Sequence, residues 1–238
     1  MNTASGDSGR RTVSAAMPSH EVVSHGRVGR VARRAMWLTA RGIAKVYLRF
    51  EVVGHERVPD TGAFVIAPVH RSAIDSPLAA MAFERPVFFM AKGSAFANPW
   101  ASRALKWFGA FPVSRDGTDF AAIRTFDSLI HDGHPVVVFP EGTRKRGDTL
   151  EDLRDGPAFI AARQRVPIVP VGIGGTDRVL PKGSRILRPR KVVYVIGEPI
   201  YPDVELEGRV PRRVISELTE ELRERLDEIY ADARSRAG

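Results

Sequence analysis

The chain of 238 residues contains no cysteine and no long uninterrupted apolar run. The absence of cysteine excludes disulfides, thiolate metal sites and cysteine-borne acyl thioesters. Charged residues interrupt every window of about 18 residues, the length that a spanning helix needs, so no transmembrane helix is predicted. Residues 1–20 lack the apolar core of a signal peptide and are predicted to form a disordered tail. No spacing of His, Asp and Glu predicts a metal site.

The positive charge of the chain is concentrated near its N-terminus. The formal net charge is +8 at pH 7, and residues 1–50 hold nine basic against two acidic residues. Residues 51–238 hold 27 basic against 26 acidic residues, so the body of the protein is almost neutral. This distribution, together with the absence of a recognisable motif, argues against nucleic acid as a partner. A basic segment before a neutral domain favours an anionic surface instead.

Residues 21–49 are predicted to form a basic amphipathic helical segment, which Gly42 divides into two shorter helices. Its apolar residues at helical spacing are Ala32, Ala35, Met36, Ile43, Val46 and Phe50, and the basic residues on the opposite side are Arg30, Arg34, Arg41 and Lys45. The pattern favours a helix lying in a membrane surface. The alternatives are a helix that packs its apolar face on the domain, and a combination in which one short helix packs and the other is immersed. The first interpretation places the protein at the cytoplasmic face of the membrane, as a peripheral or monotopic protein bound to anionic lipids.

Residues 50–238 alternate strand-like and helix-like runs. This alternation predicts a single α/β domain with a mostly parallel central sheet flanked by helices on both faces. The predicted strands are residues 64–69, 87–91, 111–114, 136–139, 168–173 and 192–196. The predicted helices are residues 77–83, 99–108, 120–131, 157–164 and 210–233.

His70 and Asp75 follow the first predicted strand. A histidine held by a carboxylate can act as a general base toward a hydroxyl. On a regular helix their spacing would separate the two side chains by about 140°, so they meet only at a loop-to-helix junction. Ser76 as N-cap, with Pro77 at the first helical position, predicts such a junction. Taken alone, the pair favours a structural role, in which Asp75 caps the helix and His70 is a buried imidazole.

Residues 139–144, Phe-Pro-Glu-Gly-Thr-Arg, follow another apolar run. A glycine-containing turn that carries a hydroxyl and a guanidinium after a strand is typical of an anion site. Combined with a histidine base, this site favours transfer of a group onto an alcohol that carries a phosphate.

Four blocks occur in the order found in the glycerolipid acyltransferase family, which is typified by bacterial 1-acylglycerol-3-phosphate acyltransferase. They are residues 70–75 (HxxxxD), 109–115 (ending in Arg115), 139–144 (FPEGTR) and 166–172 (a proline-containing block). The chain resembles this family from about residue 52 to residue 201. It departs from the family at Val69 and Ala73, and Ser114 stands where an Asp often precedes the arginine.

The resemblance implies an enzyme that moves a fatty acyl group from acyl-CoA or acyl-carrier protein to the free hydroxyl of lysophosphatidic acid, giving phosphatidic acid. It implies no metal or other cofactor. His70 would be the base and Asp75 its orienting partner. The acceptor phosphate would be held by Arg115, Gly142, Thr143 and Arg144.

Several alternatives remain open at this point. Glu141, also placed in the substrate site, would either bind an acceptor hydroxyl or orient Arg144. The same chemistry would suit glycerol 3-phosphate, another lysophospholipid or a glycolipid as acceptor. A non-catalytic lipid-binding protein on the same fold is a further alternative, although such a protein has no use for a positioned base.

Overall fold

A computed structural model of the chain describes residues 27–113, 120–184, 186–204 and 210–238. The tail predicted at residues 1–20 lies outside the described residues, and so does Arg115.

Within the described residues, seven strands form one sheet. They are β1 (Glu51–Val53), β2 (Val65–Pro68), β3 (Phe88–Lys92), β4 (Ala110–Val113), β5 (Val136–Val137), β6 (Ile168–Gly174) and β7 (Val193–Ile196). Their order is β1-β7-β6-β2-β5-β3-β4. All neighbouring strands are parallel except β6 and β7. The predicted α/β fold with a mostly parallel sheet is therefore confirmed.

Helices cover the sheet. They are α1 (Arg27–Tyr47), α2 (Asp75–Ala82), α3 (Pro99–Trp107), α4 (Phe120–His131), α5 (Gly156–Gln164), the short α6 (Thr176–Val179) and α7 (Arg212–Ala237). Because both faces of the sheet are covered, every residue of β2, β6 and β7 is buried, which explains their continuous apolar sequences. Helix α2 begins at Asp75 with Ile74 at its N-cap position, so Ser76 lies in the first turn and does not cap the helix as predicted.

The C-terminal helix α7 packs directly on the backbone of β6. A Cβ atom on Gly172 would lie 2.3 Å from the carbonyl oxygen of Ile229, and one on Gly174 would lie 2.1 Å from that of Ala233. Only glycine permits such a close approach of helix and strand. The two glycines therefore fix the position of α7 along the sheet.

One side of α1 packs on the domain. The indole N–H of Trp37 donates a hydrogen bond of 2.7 Å to the carbonyl oxygen of Ala80 in α2. Ala44 is buried, and so is Leu48, which directly follows the helix. The helix continues through Gly42, so the predicted break at this residue is wrong. A glycine inside a helix costs only about 1 kcal/mol relative to alanine, and the packing of this face is enough to offset it.

The other side of α1 is apolar and faces solvent. Val31 is 71% exposed and Val46 is 82% exposed, and Leu38 and Ile43 are exposed on the same side. At 100° per residue, the exposed Arg34 lies along one border of this surface. Among the described helices, none is long and apolar enough to cross a membrane.

Candidate active site

Three neighbouring parallel strands, β2, β5 and β6, end at the same edge of the sheet. The loops at this edge form the ligand-binding cleft in open parallel sheets. His70 lies two residues beyond the end of β2, and residues 139–144 begin two residues beyond the end of β5. The fold therefore brings together the two segments that the sequence singled out.

His70 and Asp75 are in contact. The Nδ1 atom of His70 lies 2.9 Å from Oδ2 of Asp75. The same carboxylate oxygen accepts the backbone N–H groups of Arg71 and Ser72, each at 2.7 Å. The Asp75 side chain is fully buried, whereas that of His70 is 14% exposed. With Nδ1 committed to the carboxylate, Nε2 is the ring nitrogen that remains for a substrate.

Two aromatic residues support this pair. The ring of Phe139 stacks on the imidazole of His70, with centroids 3.9 Å apart and planes inclined by 26°. The hydroxyl of Tyr194 donates to the carbonyl oxygen of Asp75 at 2.9 Å. Burial, followed by the nearby charge of Asp75, raises the pKa of Tyr194 well above its usual value. The phenol therefore stays protonated and keeps this hydrogen bond.

A buried ion pair links the His70 loop to residues 139–144. The Nη1 atom of Arg71 lies 2.7 and 2.6 Å from the two carboxylate oxygens of Glu141, and the two side chains are 2% and 0% exposed. Glu141 also accepts the backbone N–H of His70 at 2.8 Å. Burial alone lowers the pKa of Arg71, but the hydrogen bond and charge of Glu141 outweigh it, and the pKa is raised. These contacts favour a role for Glu141 in positioning the His70 loop. From the sequence, Glu141 was expected either to bind an acceptor hydroxyl or to orient Arg144.

The network of buried polar groups continues into α7. The Nε atom of Arg71 donates to the hydroxyl oxygen of Tyr230 at 2.8 Å, and its guanidinium carbon lies 4.7 Å from the centre of the tyrosine ring. The Tyr230 hydroxyl donates in turn to the carbonyl oxygen of Gly147 at 3.1 Å. Burial raises the pKa of Tyr230, although the charge of Arg71 opposes this shift. The C-terminal helix thus supports the loop that carries His70.

Residues 141–143 form a tight turn. Gly142 has φ of 68°, in the left-handed region that glycine adopts readily. Its N–H donates to the carbonyl oxygen of Phe139 at 3.1 Å, and the N–H of Thr143 donates to that of Glu141 at 2.8 Å. Because the turn uses both backbone donors, the hydroxyl of Thr143 remains as the donor for a ligand.

Arg144 and Arg154 lie beside this turn with exposed side chains. The side chain of Arg154 lies against Gly142, since a Cβ atom on this glycine would come within 2.8 Å of it. In the part of the chain that the structure describes, neither guanidinium has a carboxylate partner. The turn therefore carries two uncompensated positive charges at the edge where His70 lies.

Sequence reasoning did not identify Arg71, Arg154 or Tyr230. Arg71 has a weak sequence signal, since it is a charged residue at the end of a strand that is buried on both faces. Tyr230 adjoins the apolar stripe of α7, where a hydroxyl needs a partner when buried. Arg154 has no signal, because the loop that returns it to Gly142 has no regular periodicity.

The sequence of this chain is also similar to those of known proteins. The Acyltransferase family model matches residues 49–174. The 1-acyl-sn-glycerol-3-phosphate acyltransferase of Bacillus subtilis (strain 168) is 30% identical over 193 residues, which cover 81% of this chain and 90% of that protein. The chloroplastic 1-acyl-sn-glycerol-3-phosphate acyltransferase BAT2 of Brassica napus is 28% identical over 65% of this chain, which spans only 46% of that relative.

A solved structure shows the same fold. The crystal structure of the 1-acyl-sn-glycerophosphate (LPA) acyltransferase PlsC from Thermotoga maritima superposes with a TM-score of 0.69 at 24% identity, covering 90% of this chain and 85% of that one. The family model spans more than half of the chain and includes His70, Asp75 and residues 139–144. The chain therefore belongs to the acyltransferase family.

Proposed function

We propose that this acyltransferase moves a fatty acyl group from an acyl thioester, carried by CoA or by acyl-carrier protein, to the free hydroxyl of lysophosphatidic acid, giving phosphatidic acid. The observation that carries the proposal is the partly exposed His70, bound through Nδ1 to the buried Asp75, at the same sheet edge as the exposed Arg144. The names of the Bacillus and Brassica relatives support this acceptor.

His70 would act as the general base. Its Nε2 accepts the proton of the acceptor hydroxyl as the hydroxyl oxygen attacks the thioester carbonyl carbon. Asp75 keeps the other ring proton on Nδ1 and stabilises the imidazolium that forms. When the tetrahedral intermediate collapses, the C–S bond breaks and the thiolate takes the proton from His70. An ester and a free thiol result, and no acyl-enzyme is required.

Arg144 and the hydroxyl of Thr143 would hold the acceptor phosphate. A guanidinium binds phosphate oxygens in pairs, and Arg154 adds positive charge on the other side of Gly142. Arg115, which lies outside the described residues, remains a proposed member of this site from its sequence block. Holding the phosphate keeps the hydroxyl within reach of His70, which lowers the entropic part of the barrier.

The proposal is tested with the purified full chain, acyl-CoA or acyl-loaded carrier protein, and a panel of acceptors. Thiol release and product mass are followed for lysophosphatidic acid, glycerol 3-phosphate, a neutral lysolipid and lysophosphatidylinositol. Acylation of lysophosphatidic acid well above the others supports the proposal. Preference for another acceptor, or no transfer to any, refutes it.

Replacing Arg144 with alanine is expected to raise the KM for lysophosphatidic acid about 10- to 100-fold, because a charged hydrogen bond worth about 1.5–3 kcal/mol is lost. The KM for the acyl thioester should change much less. Arg146, exposed and two positions along the chain, is the matched control, and Arg146→Ala should shift either KM only slightly. Equal effects of the two substitutions would show a diffuse positive field instead of a specific phosphate contact.

We also propose that the exposed apolar side of α1 lies in the cytoplasmic surface of an anionic membrane. The basic border beside Val31 and Leu38 supports this orientation. Val46→Glu is expected to weaken binding to vesicles containing phosphatidylglycerol by about tenfold or more, since an aliphatic side chain that would enter the bilayer is replaced by a negative charge facing anionic lipid. Vesicle flotation measures the effect. Val46→Leu should bind like the wild type, and unchanged binding of Val46→Glu would exclude this surface.

A further inference from the structure

We infer that the loop between α6 and β7, which the structure describes at residues 181–184 and 186–190, forms a second lipid-binding surface that contacts the same anionic membrane as α1. The inference deepens the proposed membrane association and rests on it. Ile186 is 74% exposed, and its neighbour Leu187 is 48% exposed. Two adjacent aliphatic side chains at the tip of a polar loop form a local apolar surface that water solvates poorly.

The charge around this tip matches an anionic lipid. Lys182, Arg188 and Arg190 are exposed, and none of the three has an ion-pair partner among the residues that the structure describes. Each such cation near an anionic bilayer contributes favourably to binding. Aliphatic side chains bordered by basic ones are the composition that peripheral proteins present to a membrane.

The loop is held in this conformation by its own hydrogen bonds. The backbone N–H of Ile186 donates to the hydroxyl of Ser184 at 3.1 Å. The N–H of Arg188 donates to the carbonyl oxygen of Val179 at 2.9 Å. These bonds hold the backbone of Ile186 and Arg188 in place, while the side chains of Ile186 and Leu187 face solvent.

The tip is continuous with the exposed side of α1. The hydroxyl of Tyr47 donates to the carbonyl oxygen of Leu187 at 3.0 Å, and the N–H of Val192 donates to the carbonyl oxygen of Leu48 at 3.0 Å. Ile43 lies one helical turn before Tyr47 and is exposed. One flat lipid surface can therefore contact the C-terminal end of α1 and the loop together.

The loop also borders the site. The hydroxyl of Ser72 donates to the carbonyl oxygen of Leu180 at 2.9 Å, and Ser72 is one of the residues bound to the carboxylate of Asp75. A membrane that contacts Ile186 consequently lies against the edge of the sheet that carries His70. A lysophospholipid acceptor would then reach the base directly from the bilayer.

Fluorescence at single introduced cysteines tests the inference, because the chain has no cysteine of its own. The full chain carrying Ile186→Cys, labelled with the environment-sensitive dye NBD, is mixed with vesicles of phosphatidylcholine and phosphatidylglycerol. Val46→Cys reports on α1. Tyr201→Cys is the control, since Tyr201 is 69% exposed but follows Ile200, which pairs with Ile168 at the opposite edge of the sheet.

The expected result is a several-fold rise in emission at positions 186 and 46, with quenching by nitroxide-labelled lipid, and little change at position 201. A rise at position 46 alone overturns the loop surface and leaves α1 docking intact. No rise at either position overturns both. An equal rise at position 201 overturns the inference as well, because the contact would not be specific to this surface.

Two further measurements complete the test. Arg188→Gln combined with Arg190→Gln is expected to weaken binding to phosphatidylglycerol vesicles by about tenfold or more, while leaving the weak binding to pure phosphatidylcholine unchanged. An unchanged affinity for both vesicles counts against an anionic partner.

Acyl transfer to lysophosphatidic acid dispersed in detergent, measured on the wild type, separates the two proposals. Failure there refutes the proposed reaction, whereas the probe at position 186 reports lipid contact in either case.

Discussion

Replacing His70 with alanine is expected to lower kcat about 10²- to 10⁴-fold, the usual contribution of a general base. This loss corresponds to about 3–5 kcal/mol in the activation barrier. The fold should survive, because the Asp75 carboxylate oxygen keeps its bonds to the backbone of Arg71 and Ser72. Steady-state acyl transfer and thermal unfolding of the same preparation measure the two quantities.

His131 provides a matched control for this substitution. It also lies next to an aspartate, with Nδ1 3.3 Å from Asp132, but its side chain is 86% exposed on α4. His131→Ala should retain full activity. His70→Gln, whose amide can still donate to Asp75 but cannot act as a base, should be as inactive as His70→Ala. Activity of either His70 variant within a few-fold of wild type would contradict the assignment of the base.

Replacing Glu141 with glutamine is expected to destabilise the protein by about 3–5 kcal/mol, because it leaves the charge of Arg71 buried without its partner. For a chain of this size the melting temperature should fall by about 10 °C. Activity should fall too, since Glu141 holds the backbone N–H of His70. Calorimetry on wild type and variant gives the loss of stability, and the kcat of folded protein at low temperature gives the loss of positioning.

The matched control is an ion pair of the same chemistry at the surface. Arg213 and Glu217 on α7 are 2.7 Å apart, but their side chains are 79% and 59% exposed. Glu217→Gln should change stability by less than about 1 kcal/mol. If Glu141→Gln cost no more than Glu217→Gln, the buried pair would have no special role in holding the His70 loop.

The order of strands and helices was largely predictable from the sequence, because buried strands of parallel sheets are continuous apolar runs. All six predicted strands are present. β1 was missed because it is only three residues long and begins with Glu51, and its assignment depends on pairing with β7, far along the chain. The reversal of direction between β6 and β7 is likewise set by tertiary pairing, and no local pattern encodes it.

The His70–Asp75 contact was predictable because the two residues are near in sequence and stand at a strand-to-helix junction. The network around Arg71 was not, since Arg71 and Tyr230 are 159 positions apart. The environment of the two faces of α1 was also only partly predictable from the sequence. Helical periodicity identified an amphipathic helix, but the sequence alone did not show that Trp37 bonds to α2 while Val46 faces solvent.

The packing of α7 has a consequence for how the enzyme matures during translation. All seven strands and His70 precede Tyr230 along the chain. A nascent chain that stops short of this helix can contain His70 and Asp75, but the guanidinium of Arg71 lacks the phenol that binds it. The exposed apolar side of α1, in contrast, precedes His70 along the chain and leaves the ribosome before it. The membrane contact proposed for α1 would therefore be available before the site is complete, because the hydrogen bond between Arg71 and Tyr230 forms only once α7 has been released.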